Sequence, residues 1–175
     1  MEPMEEATSR GAARLPRVAV RPRDAWFLGL AVLVVLVDQL TKWFIRQTVA
    51  RGDAWPDPSW PLRIVHYRNT GAAFGILQNA GPLLVVTSLI GMAAILVYLF
   101  NPGFAHPLMR LGLALMFGGA VGNLIDRLFN GNVVDFLQVP HWPAFNVADS
   151  AISIGVVLLI WAMLRDSSKA DTASS

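Results

Sequence analysis

Four apolar runs, each long enough to cross a hydrocarbon layer, constrain this chain more than any other feature: Trp26–Ile45, Pro82–Phe100, Leu108–Leu124 and Ala148–Leu164. About 20 residues of helix span a bilayer core of roughly 30 Å, where a helix satisfies every backbone N–H and C=O internally. Composition agrees: 54% of residues are apolar and 15% charged, against roughly 25% charged in a soluble domain, and mean hydropathy is +0.49. The 175 residues leave room for one domain. With no cysteine, disulfides, iron–sulfur clusters, thiolate nucleophiles and Cys-ligated zinc are excluded. The pI near 9.5 reflects a small excess of arginine and gives no support to nucleic acid as a partner.

The expected fold is an all-α membrane protein: four transmembrane helices, with a small extracytoplasmic β-containing loop region between helices 1 and 2. Residues 1–24, polar and rich in Arg and Ala, are predicted to be a flexible cytoplasmic tail. Residues 25–165 form the four-helix membrane domain, and 166–175 a cytoplasmic C-terminal tail. No small-residue cleavage site follows the first run, so it is read as an uncleaved signal anchor. In Thr48–Ala80, three prolines precede the alternating stretch LRIVHYRN, which suits one or two short strands. The turn Asn101-Pro102-Gly103 closes the second span. In the third, Gly118-x-x-x-Gly122 has the spacing of close helix packing. Phe129–Phe145 reads as a second connection.

Basic residues orient the spans. Five arginines precede the first helix, and Arg110, Arg165 and Lys169 fall on the same side; Arg46, Arg51, Arg63, Arg68 and Arg127 fall on the other. Eight against five, with the first flank strongly basic, puts both termini in the cytoplasm. Asp38, Asp126, Asp135 and Asp149 are then expected together at the outer ends of their helices. A carboxylate at a helix centre costs about 2.5–3.5 kcal/mol on insertion scales and marks function.

Asp38 and Lys42, at i and i+4, have the spacing of a structural ion pair. Asn123, Asp126 and Arg127 share a helix face, so Arg127 is read as a clamp for Asp126 or for an anionic headgroup. Asp126, held ionised by Arg127, is read as structural. Asp135 and Asp149 have no cation in their own short segments and have apolar neighbours. Apolar surroundings raise a carboxyl pKa, and two carboxyls brought close share a proton, leaving one acid and one base. Taken alone, Asp149 also suits the start of a helix capped by Asn146.

Other chemistries fit less well. His66, His106 and His141 are scattered and form no HExxH, so no metal site is expected. Ser150 and Ser153 would need a base, and His141 lies in a Pro-rich loop. A proton-coupled transporter would use the same acids but calls for internal repeats or broken helices. A structural scaffold would leave Asp135 and Asp149 without a role.

VDQLTK (Val37–Lys42), RNTGAAFG (Arg68–Gly75), GNLIDRLFNGNVVDF (Gly122–Phe136) and FNVADS (Phe145–Ser150) together resemble the bacterial lipoprotein signal peptidases (signal peptidase II), in that family's order and spacing. These are four-span aspartic proteases, and the resemblance covers Trp26 to Leu164. By position it implies Asp135 and Asp149 as the catalytic dyad. Asn69, Gly71, Asn123, Arg127 and Asn146 fall on its other characteristic site positions, expected to bind substrate, and Asp38 and Lys42 on its first-helix pair. It further implies a prolipoprotein substrate cut on the N-terminal side of a diacylglyceryl-modified cysteine, with no cofactor. The expected setting is the inner membrane, where a monomer in contact with membrane lipids has its active site near the outer face. Gly71 and Gly75 would let the substrate backbone approach closely.

Overall fold

The computed structural model describes residues 22–56, 59–72, 77–100 and 106–174. The tail before residue 22, Gly75 and the turn Asn101–Gly103 lie outside the described residues. Four helices, α1 (Pro22–Thr48), α2 (Gly81–Phe100), α3 (Pro107–Asn130) and α4 (Val147–Ser174), are long and apolar enough to cross a membrane. Large apolar side chains such as Trp43, Ile90, Val97 and Val157 stay more than half exposed on them. Such outward-facing surface suits lipid and is rarely left in contiguous patches in water.

Helix ends follow local chemistry. Proline opens α1 and α3, where the missing N–H has no partner to lose. Gly131 ends α3 in the left-handed region at φ 68, its N–H donating to Arg127 O at 3.2 Å. Two expected boundaries move. Residues 22–24, read as tail, belong to α1. The helix α4 continues through 166–174, because no Gly or Pro follows Arg165 to stop it.

Glycines set the interhelical spacing. A Cβ at Gly118 would sit 2.7 Å from Ala31 O, and one at Gly112 2.6 Å from Gly155 O. A Cβ at Gly119 would collide with Ala148 O. The central helix α3 thus touches α1 through Gly118 and Gly122 and α4 through Gly112 and Gly119, which is the close packing expected of a small-residue motif.

A three-stranded antiparallel sheet, β1 (Ala54–Trp55), β2 (Arg63–Asn69) and β3 (Val133–Gln138), caps the bundle where α1 and α3 end and α2 and α4 begin. The first two strands lie in the expected loop. The third extends that expectation: it comes from the α3–α4 connection, and Asp135 sits on it, not at the end of a helix. Ile64 pairs with Leu137 and Tyr67 with Asp135, so β2 carries one extra residue between them. This bulge turns both Val65 and His66 inward, breaking the alternation. Val134 and Phe136 pack on Ile45 of α1, fixing the sheet to the bundle.

Candidate active site

Asn146, Val147, Ala148 and Asp149 start α4 as a capping box. The Asp149 N–H donates to Asn146 Oδ1 at 2.9 Å, and the Asn146 N–H to Asp149 Oδ2 at 3.3 Å. Asn146 therefore caps as expected, and its Nδ2 is left to reach across to β3, where it donates to Asp135 Oδ1 at 2.8 Å. Asn69, at the end of β2, makes a similar turn: the Gly71 N–H donates to its Oδ1 at 2.9 Å, and its Nδ2 donates to Asp135 Oδ2 at 3.0 Å. Asn123 Nδ2 donates to Asp149 Oδ1 at 2.7 Å, while its Oδ1 accepts from Lys42 Nζ at 2.9 Å. Every carboxyl oxygen of Asp135 and Asp149 thus receives one N–H. In each asparagine a fixed donor occupies the oxygen, so the NH₂ must face an aspartate.

Lys42 and Asp38 are fully buried and 2.8 Å apart, the expected i, i+4 pair. Lys42 Nζ also lies 2.9 Å from Asp126 Oδ2, an ion contact off the hydrogen-bond direction. Asp126 Oδ1 accepts from Arg46 Nη2. The direct partners of Asp126 are therefore Lys42, Arg46 and Asn130, whose Nδ2 donates to Oδ1 at 3.4 Å, while the adjacent Arg127, the expected clamp, acts on it only through its nearby charge. Arg127 instead donates to Gly71 O at 3.3 Å and lines the cavity. The reason is geometric: Asp126 points into the α1–α3 interface and Arg127 to the sheet side. Arg46 escaped the sequence reading, although Asp38, Lys42 and Arg46 recur every four residues on one helix face. Asp38 also does more than neutralise a lysine. It lies ten residues before the end of α1, deeper than expected, and its Oδ1 accepts the Ala148 N–H at 2.9 Å. This sets a carboxylate against the N-terminus of α4. Gln39 donates to Asp38 Oδ2 at 3.1 Å and to Gly122 O at 3.0 Å, locking α1 to α3.

A cavity of about 510 Å³ opens between the sheet and α4, lined by Asn69, Asn123, Arg127, Asp135 and Asp149, with Phe145, Ile152 and Ile154 as apolar walls. Asp135 is only 4% exposed. Burial pushes its carboxyl up to about 7, helped by the nearby charge of Asp149 and opposed by the hydrogen bonds from Asn69 and Asn146 and by the charge of Lys42. Ser150 and Ser153 also line the cavity, but Ser150 Oγ donates to Asn146 O at 2.9 Å, and His141 is not in the lining. Among the described residues no group of three His, Asp or Glu is placed to hold a metal.

The family model described as Signal peptidase (SPase) II matches residues 30–165. The lipoprotein signal peptidase of Moorella thermoacetica is 46% identical over 139 residues, 79% of this chain and 92% of the relative. That of Staphylococcus aureus (strain bovine RF122) is 38% identical over 151 residues, 82% and 93% respectively. A bacterial membrane enzyme solved by the in meso method at 2.3 Å superposes with a TM-score of 0.79 at 36% identity, covering 83% of this chain and 91% of that one. With nearly all of the membrane domain matched, the chain belongs to the signal peptidase II family of membrane peptidases.

Proposed function

We propose that this protein is an aspartic endopeptidase that removes signal peptides from diacylglyceryl-modified prolipoproteins, cutting on the N-terminal side of the lipidated cysteine. Asp135 and Asp149 activate the water. The observation that carries this reading is the meeting of two carboxyls, one from a strand and one from a helix, in a single cavity where amide donors hold all four of their oxygens.

With one proton between them, the pair supplies an acid and a base. Asp135, raised to about 7, holds the proton near neutral pH. Asp149 takes a proton from water as the water oxygen bonds to the scissile carbonyl carbon. Asp135 gives its proton to the carbonyl oxygen, so the tetrahedral intermediate forms without a free oxyanion. On collapse the C–N bond breaks, the amine leaves with the proton taken up by Asp149, and the hydroxyl proton returns to Asp135. Asn69, Asn123 and Asn146 orient the carboxyls and do not themselves exchange protons. Arg127 orients the Gly71 turn beside the substrate. The protein acts as a monomer in contact with membrane lipids, both termini cytoplasmic and the cavity near the outer face of the inner membrane. There the dyad reaches water and a peptide bond whose acyl anchor stays in the bilayer.

The test is cleavage of a diacylglyceryl-cysteine peptide by the purified protein in detergent or lipid. We expect one cut before the modified cysteine, none in the unlipidated peptide, and full activity in EDTA. A chelator-induced loss restored by zinc would overturn the aspartic mechanism.

A further inference from the structure

The end of the bundle away from the catalytic cavity holds a larger cavity, about 740 Å³, that the reaction above does not use. It opens where α1 and α3 begin and the membrane-capable part of α4 ends. All of its lining lies within about a turn of the end of such a segment, the depth at which lipid headgroups meet a protein.

Two arginines from different helices converge on this cavity. Arg110 is only 5% exposed, held in the wall by an Nη2 bond to Leu99 O at 3.0 Å and by the Phe27 ring 5.6 Å from its guanidinium carbon. Arg165 is exposed, its guanidinium 5.6 Å over the ring of Trp161. Neither Asp nor Glu is among the described residues that line the cavity, and the first turn of α3 carries none. Two positive charges beside a low-dielectric wall focus their potential on the space they share, so an anion there is attracted by both. Phe27, Leu108 and Leu111 give the same cavity an apolar wall, and Trp26 lines it while staying 61% exposed. A free phosphate would leave that wall wet. A phospholipid matches both parts, with its phosphate for the arginines and its hydrocarbon for the leucines.

We propose that this cavity binds an anionic phospholipid, its phosphate on the Arg165 guanidinium and within the field of Arg110, its upper acyl segments on Phe27, Leu108 and Leu111. In the orientation proposed above this is the inner leaflet; the binding itself does not depend on the peptidase reading.

Thermal unfolding of the full chain tests it, purified free of lipid in a neutral detergent, with phosphatidylglycerol, phosphatidylcholine or inorganic phosphate added in turn. Phosphatidylglycerol should raise the melting temperature saturably, and the other two should not. Arg165→Gln should raise the half-saturating phosphatidylglycerol concentration about tenfold or more, as loss of a charged hydrogen bond implies. Arg51→Gln, which alters an exposed arginine at the sheet end of the bundle, should leave it unchanged. An equal rise with phosphatidylcholine would overturn the anionic preference, and a rise with phosphate alone would replace the lipid by a free anion. An Arg165→Gln protein that responds like wild type, or an Arg51→Gln protein that loses the response, would remove the site from this cavity. Lipid binding and peptide cleavage are separate readouts, so either reading can fail while the other stands.

Discussion

Asn146 Nδ2 lies 2.8 Å from Asp135 Oδ1, and the amide cannot be turned over, because its Oδ1 accepts the backbone N–H of Asp149 at 2.9 Å. One residue therefore starts α4 and joins the two carboxyls, its side-chain amide on Asp135 and its backbone N–H on Asp149. Asn146→Asp would keep the cap but set a third carboxylate against Asp135. We expect kcat to fall by about 10²-fold or more with the helix intact. Near-normal turnover would show that the donor is dispensable.

Asp135→Asn and Asp149→Asn should each abolish cleavage, by about 10³-fold or more, while the protein stays folded in detergent. If the pair works as a unit, as proposed, the double variant should be scarcely worse than either single one. Initial rates on the lipidated peptide decide this, and either variant keeping wild-type turnover leaves the dyad.

Stability should depend on pH through Asp135. Its folded value of about 7 lies above the usual carboxylate range, so folding favours the protonated form. That contribution is fully present below about pH 4 and is lost as pH rises through 7, by at most about 4 kcal/mol. Asp135→Asn has no proton to lose at this site. Its melting temperature relative to wild type should therefore climb between about pH 4 and 7 and level off above; a difference flat with pH would refute the shift.

Removing Asp38 should cost mainly stability. Asp38→Ala takes a carboxylate from buried Lys42 and an acceptor from the Ala148 N–H, for a loss of about 3–5 kcal/mol. Asp38→Ala combined with Lys42→Ala should recover only part of this, since the Ala148 N–H stays open. Thermal unfolding in detergent measures both, and a stable but inactive Asp38→Ala would move Asp38 into the catalytic machinery.

Orientation is open to chemical labelling, because the chain has no cysteine. Exposed Arg51, in the turn between α1 and β1, should as Arg51→Cys react with an impermeant thiol reagent on intact cells. Reaction only after lysis would place the cavity on the cytoplasmic side.

The four spans are legible in the chain's apolar runs, because about 20 apolar residues in lipid have little choice but helix. Equally legible are the Asp38–Lys42 pair and the Asn146 cap, whose partners lie within four residues along the chain. That Val133–Gln138 is a strand emerges from packing, since a short apolar run between loops suits either a strand or a buried helix end until β2 pairs with it. Packing likewise brings Asp126 into ion pairs with Lys42 and Arg46, roughly 80 residues away, and not with its neighbour Arg127. Local periodicity says which face a side chain occupies. Which buried charge it meets depends on how closely α1 and α3 approach, and that closeness comes from glycines whose effect appears only when the helices pack.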